Sequence, residues 1–463
     1  MASTMNFVAD RRYRCATLHL AHDRLTLPWQ PLQNPHSRAA LIVPWLAMIT
    51  ALLLATYPDL AALQGLSAGS MVSFGLSPLV ALSNALALFL PANWASALAA
   101  AAIPCVQLLI ALALVRGTLR CLDFQGAAAN IGLAIVPLLP MAVICFSPLR
   151  MPGAGWLALC ALGMLRLLVD RRRVPLKSAL AGLLAGIYAF AGMSGLWLVF
   201  AATLFLSIEF YRHGRSETLA AFLGALILSA GGLFVVSTPF PQWGVPLVES
   251  LSWPHLASWL LCAVVAGGCA KVARPLSVGT RIAVLFLIWA TIIGTPIAVL
   301  GMSAATPLIS FDPVNSGTNG HTSNWHDARG MVLATVCLWG IALVRKWHDL
   351  MRSGNSRGWF AVALLSGIMV TLSVFDWRAA LYAQLLAIPL FALLLRDALR
   401  VACRFANGGM RVFAICFALL ALTPTGGSYA GGIASSLADS RPLGWPRPIE
   451  HAVMSIGSLD FPG

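Results

Sequence analysis

Asp59 stands at the outer end of the first long apolar run, within YPDLAALQGLSAGSMVSFGLSPLVALSNALALFLP from Tyr57 to Pro91. A carboxylate at the mouth of a low-dielectric cavity is harder to ionise and can serve as a general base. Asp is also a good N-cap, here for the amphipathic piece 60–68. The residues alone leave both readings open. Asp376-Trp377-Arg378 fills a very short turn between two apolar runs, with Tyr382 one helical turn beyond Arg378. A guanidinium at a membrane interface can grip a phosphate bidentately. The structural alternative is that Asp376 and Arg378 satisfy the turn while Trp377 anchors it at the interface.

A third polar group lies in 303–329, the longest loop between apolar runs, with His321, His326, Asp327 and Arg329. Loops of that length are often lids or binding loops. The five-residue spacing of His321 and His326 does not suit a helical metal motif, which leaves loop ligation or plain solvation. Glu249, in PFPQWGVPLVESLSWP, is a further outer carboxylate, with Trp243 and Trp253 as interface anchors. His255 and Tyr188 read as core or interface residues. Cofactor use stays open: a divalent metal is compatible with these groups, and no residue pattern indicates one.

What positions these residues follows from composition. The chain has 463 residues, 59% of them hydrophobic and 10% charged, with mean hydropathy +0.83. A soluble domain carries about 25% charged residues. Apolar runs of roughly 18 to 22 residues, broken by Arg-rich turns, mean an all-α polytopic membrane bundle. The net charge of +14 is then the cation excess of cytoplasmic turns, and it does not point to nucleic acid. Ten cysteines without a C-x-x-C exclude a disulfide framework and a thiolate metal site.

The first span is expected over 39–57, behind a polar segment 1–38 with Arg11, Arg12, Arg14, Arg24 and Arg38. Those arginines put the N-terminus in the cytoplasm. The apolar piece 78–90 is shorter than the roughly 20 residues a crossing needs, so it reads as an interfacial helix in the first outer loop, 58–93. Spans are expected near 94–115, 126–146, 155–169, 179–191, 195–210, 219–237, 255–270, 282–302, 331–344, 359–375, 380–395 and 412–422. That makes about 13 crossings within 39–424, and an outer tail over 425–463. The register leaves Arg150, Arg329, Arg378, Arg441 and Arg447 outside and the remaining basic residues inside. Gly182-x-x-x-Gly186 predicts a close helix–helix approach. The spans hold no mid-bilayer acid of the kind that marks proton or ion paths. Reactive groups gathered at one interface suit a membrane-embedded transferase acting on a lipid-linked substrate. The rival is a transporter or flippase of a lipid-linked sugar or small solute, which would need a continuous polar route through the bundle.

The order of features is similar to the GT-C class of membrane glycosyltransferases. SPLVALSNALALFLPANWASAL resembles the P-P-L-x-x-x-L…L-P segment of their first outer loop, with Ser77 in place of the first proline. AGLLAGI, after a basic turn, resembles the A-G-L-L-x-G stretch of the polyprenyl-phosphate-sugar-dependent branch. WRAALYAQLLAIPLFALLL resembles the late Arg-x-x-x-Tyr-Ala…Pro span. The paired acids common after the first span are reduced here to Asp59. The resemblance implies transfer of a sugar from a polyprenyl-phosphate donor to an outer-face lipid, glycan or protein, in a bacterial inner membrane. Asp59 would take the acceptor proton. Arg378, with Arg329, would hold the donor phosphate.

Overall fold

The computed structural model describes residues 82, 84–89, 91–124, 127–136, 139, 154–170, 175–190, 193–214, 216–238, 240, 243, 251–271, 276–300, 322–352, 355–374, 377–402, 408–422 and 424. Asp59, Glu249, His321 and Asp376 lie outside them. So do the expected first span, the tail 425–463 and most of the first outer loop.

The described regular structure is entirely helical. In chain order the helices are α1 Ala92–Cys121, α2 Ala127–Ile135, α3 Ala154–Val169, α4 Pro175–Phe190, α5 Met193–His213, α6 Glu217–Ser237 and α7 Trp253–Ala270. They continue with α8 Val278–Leu300, α9 Thr322–Arg352, α10 Ser356–Ser373, α11 Trp377–Leu386, α12 Ile388–Ala402 and α13 Gly408–Ala421. Seven segments are long and apolar enough to cross a bilayer, and the bent pair α11–α12 makes an eighth. The chain is a polytopic membrane bundle with at least seven crossing helices.

The helix bounds depart from the sequence reading in three places, at α1, at α11–α12 and at α9. The Ala-rich opening of α1 propagates a helix of 30 residues, about 45 Å long, so its crossing part is Ala102–Cys121 and its first turns project beyond it. The stretch expected to be one straight span, 380–395, is two helices bent by 54°. Pro389 lacks an N–H and its ring excludes the carbonyl four residues back, which breaks the ladder there. Helix α9 begins at Thr322, so the last residues of the expected loop 303–329 are helical. α3 and α4 have 16 residues each, short of a full crossing by length alone. Ahead of α1, residues 84–87 are helical and end in a turn in which Leu88 and Phe89 are exposed.

The core lies along α11 and α12. Every residue from Ala379 to Arg396 is buried. They are enclosed by α3, α9 and α10, with α1 and α2 packed on α12. A second layer runs through α4, α6, α7 and α8. The predicted glycine pair is what lets α4 meet α6. A Cβ on Gly182 would strike the carbonyl oxygen of Phe222, and one on Gly186 would lie 2.8 Å from that of Leu226. Backbones in lipid approach this closely only where side chains are absent. α8, by contrast, buries Ile288 and exposes Phe286, Leu287 and Ile293, as a helix bathed in acyl chains does.

The basic helix ends meet at one end of the bundle. Asn355 caps α10 by accepting from the Gly358 N–H at 3.1 Å. Its amide donates to the Cys121 carbonyl at 2.6 Å and to the Val169 carbonyl at 3.3 Å. One side chain thus serves the N-terminus of α10 and the orphan carbonyls of α1 and α3. Arg357 donates to Glu209 of α5 at 2.8 Å and to the Leu168 carbonyl at 3.1 Å. Lys346 of α9 pairs with Asp397 of α12 at 2.5 Å. Arg281 of α8 reaches the Tyr211 carbonyl at 2.8 Å, and Ser216 reaches that of Ala266 at 3.0 Å. The alternation expected from the charge rule brings these same ends to one side.

Candidate active-site end of the bundle

Opposite the basic end, the bundle has a different chemistry. Tyr382, in the second turn of α11, is buried, and its ring meets that of Tyr188 edge-on, with centroids 5.2 Å apart and planes at 80°. Such T-shaped pairs favour the quadrupoles of both rings. Tyr188 sits near the C-terminal end of α4, and Gly195 at the start of α5 packs against its carbonyl so closely that no Cβ would fit. The tight passage from α4 to α5 therefore holds Tyr188 where α11 can use it. The sequence left Tyr188 as core or interface, and the structure makes it core. The candidate Tyr382 is buried against Tyr188.

Arg378 lies in the first turn of α11, four residues before Tyr382 and so on the same line of the helix. Arg329 lies in the N-terminal part of α9, and α9 packs against α11. Among the described residues these two are the cations of this end. His326 also falls within α9, not in a loop. The buried line of α9 is Val332, Thr335, Leu338 and Ala342.

The sequence reading passed over a polar contact just below the two arginines. Gln384 of α11 is fully buried, and its Nε2 donates to Thr335 Oγ1 at 3.0 Å. Thr335 donates in turn to the Met331 carbonyl at 2.7 Å. Gln384 Oε1 has no hydrogen-bond partner. The signal that could have found it is a lone amide in the apolar string LYAQLLAIPL. Among the described residues no three His, Cys, Asp or Glu side chains gather to hold a metal ion.

No family model matches the chain, and no curated protein matches it. Among solved structures it is similar to the apo oligosaccharyltransferase of Archaeoglobus fulgidus, with 15% identity and a TM-score of 0.45, covering 96% of this chain and 59% of that one. It is similar to the archaeal oligosaccharyltransferase AglB of the same organism in complex with an inhibitory peptide and a dolichol-phosphate, with 14% identity, a TM-score of 0.47, and coverage of 82% and 51%. A third match is the A. fulgidus oligosaccharyltransferase with Zn and sulfate, at 16% identity and a TM-score of 0.44, covering 82% and 48%. The chain thus spans between 48% and 59% of these structures.

Proposed function

We propose that this protein is an integral membrane glycosyltransferase of the GT-C type. It moves a sugar from a polyprenyl-phosphate sugar to a lipid, glycan or protein acceptor at the outer face of a bacterial inner membrane. The observation that carries this reading is the pair of arginines, Arg329 and Arg378, at one end of two packed helices. The end in question is the one opposite the cation-rich ends, which the charge rule places in the cytoplasm.

Cations at that level meet the phosphate of a lipid donor while its chain stays among the acyl tails. Arg378 holds the phosphate by its planar fork, and Arg329 supports it. Negative charge grows on the phosphate oxygen as the sugar departs, so a fixed cation there favours the transition state over the ground state. Asp59 receives the proton of the acceptor hydroxyl. Asp376, Glu249 and His326 complete the candidate rim, and Tyr382 is its floor. A divalent metal would draw on carboxylates such as Asp59 and Glu249, and no step above depends on one. A buried acid relay of the sort that drives a pump finds no support among the described residues: Glu209 is buried, but Arg357 neutralises it at 2.8 Å.

The test is sugar transfer in proteoliposomes, with any polyprenyl-phosphate sugar that the wild type accepts. Asp59→Asn keeps shape and loses basicity, and turnover should fall about 100-fold or more with donor binding little changed. Arg378→Lys keeps the charge and loses the fork, so donor affinity and turnover should fall together. Full activity in both variants would refute the site.

A further inference from the structure

We infer that the buried pair Gln384–Thr335 is a positioning device that holds Arg378 and Arg329 at one level of the membrane. The inference rests on the reading of those arginines as a phosphate site, and its test does not need that reading to succeed.

Helices α9 and α11 run in the same direction. Thr335 of α9 bonds Gln384 of α11, and further along both chains Lys346 of α9 pairs with Asp397 of α12. Residue numbers therefore increase together along the two elements. Arg329 precedes Thr335 by six residues, and Arg378 precedes Gln384 by six. At 1.5 Å per residue, each arginine lies about 9 Å outward from the same hydrogen bond. Because the two helices run in the same direction from this bond, equal offsets bring both arginines to the same end of the bundle at comparable distances from it. Sliding one helix past the other by one residue would lift one arginine about 1.5 Å away from its counterpart's level.

The Lys346–Asp397 pair ties α9 to α12, beyond the break at Pro389; on the outer side of that break the polar tie between α9 and α11 is Gln384–Thr335. On α11 the flanking residues are Ala380, Leu381, Ala383 and Leu385, and on α9 they are Val332, Leu338 and Ala342, all apolar and buried. Apolar surfaces in lipid slide with small change in energy, because acyl chains solvate them about as well as each other. An amide bonded to a hydroxyl has one good register. Gln384 also leaves its Oε1 without a partner although it is fully buried. A group that costs stability in this way and is still present at the contact is accounted for by specificity of register, the role that buried polar residues serve in helix pairing.

The test is a distance measurement that does not depend on catalysis. Cysteines replace Arg329 and Arg378 in the full chain, a bismaleimide is added in detergent, and the linked peptides are identified by mass spectrometry against the native cysteines. The pair should cross-link with Gln384 and Thr335 intact. Thr335→Ser keeps the hydroxyl and should keep the yield. The double variant Thr335→Val with Gln384→Leu removes both polar groups, so no buried group is left unpaired. Its melting temperature should stay near wild type while the cross-link yield falls at least fivefold. With the arginines restored, the same double variant should raise the donor KM about tenfold. Unchanged yield in the double variant, or no cross-link in the starting pair, overturns the inference. Should the yield depend on the pair while the wild type transfers no sugar, the positioning stands and the transferase reading fails.

Discussion

At the residue scale, Arg357 is among the described side chains with the most polar partners. Its guanidinium lies over the Phe205 ring at 5.2 Å and binds Glu209 and two carbonyls at the C-terminus of α3, with the two charged side chains only 15% and 8% exposed. Removing one partner leaves a buried charge unmatched, whereas removing both is far milder. Arg357→Met should therefore destabilise the protein by about 3 kcal/mol in detergent unfolding, and adding Glu209→Leu should recover most of that loss. Transfer by the surviving folded fraction should be unchanged, since this cluster lies at the end away from Arg378. Equal losses for the single and double variants would show that the pair has another role.

At the element scale, glycine has two meanings in one helix pair. Gly186 of α4 is a contact point: a Cβ there would stand 2.8 Å from the Leu226 carbonyl and 2.9 Å from the Ala230 nitrogen. Gly231 of α6 has nothing within 4 Å of the same probe position. Gly186→Val should force α4 from α6 and cost about 1–3 kcal/mol, as overpacking does. Gly231→Ala should be neutral or stabilise by up to about 1 kcal/mol, because alanine is the better helix former. Paired melting curves in one detergent check both. Equal effects would mean that the α4–α6 approach is looser than the structure has it. The element scale is also where Pro389 acts: the break it makes lets α11 tilt by 54° from α12, and α11 carries Arg378.

At the scale of the whole molecule, the helix ends carrying Arg120, Lys177, Lys271, Arg281, Lys346 and Arg357 form one side of the bundle. If that side is cytoplasmic, as the excess of cations requires, a cysteine replacing the exposed Lys271 should react with an impermeant maleimide only in inverted vesicles. A cysteine at Ser70 or Ser316 should react in intact cells. Labelling of position 271 from outside would invert the topology and remove Arg329 and Arg378 from the outer face.

The sequence by itself determined the class, the ends of most helices within a few residues and the gathering of the basic turns at one end of the bundle. Those properties follow from length, apolarity and charge, which are local and additive. It also marked Gly182 and Gly186, because small residues four apart form a face by helical periodicity alone. Other features were settled by tertiary structure. That Tyr382 is buried depends on its contact with Tyr188, which is distant in sequence and which Gly195 approaches closely. Whether His326 lies in a loop depends on how far α9 continues, and helix propagation is not fixed by hydropathy. Gln384 gained meaning only when packing put Thr335 opposite it. Depth in a membrane is a relation between helices, and no single apolar run contains it.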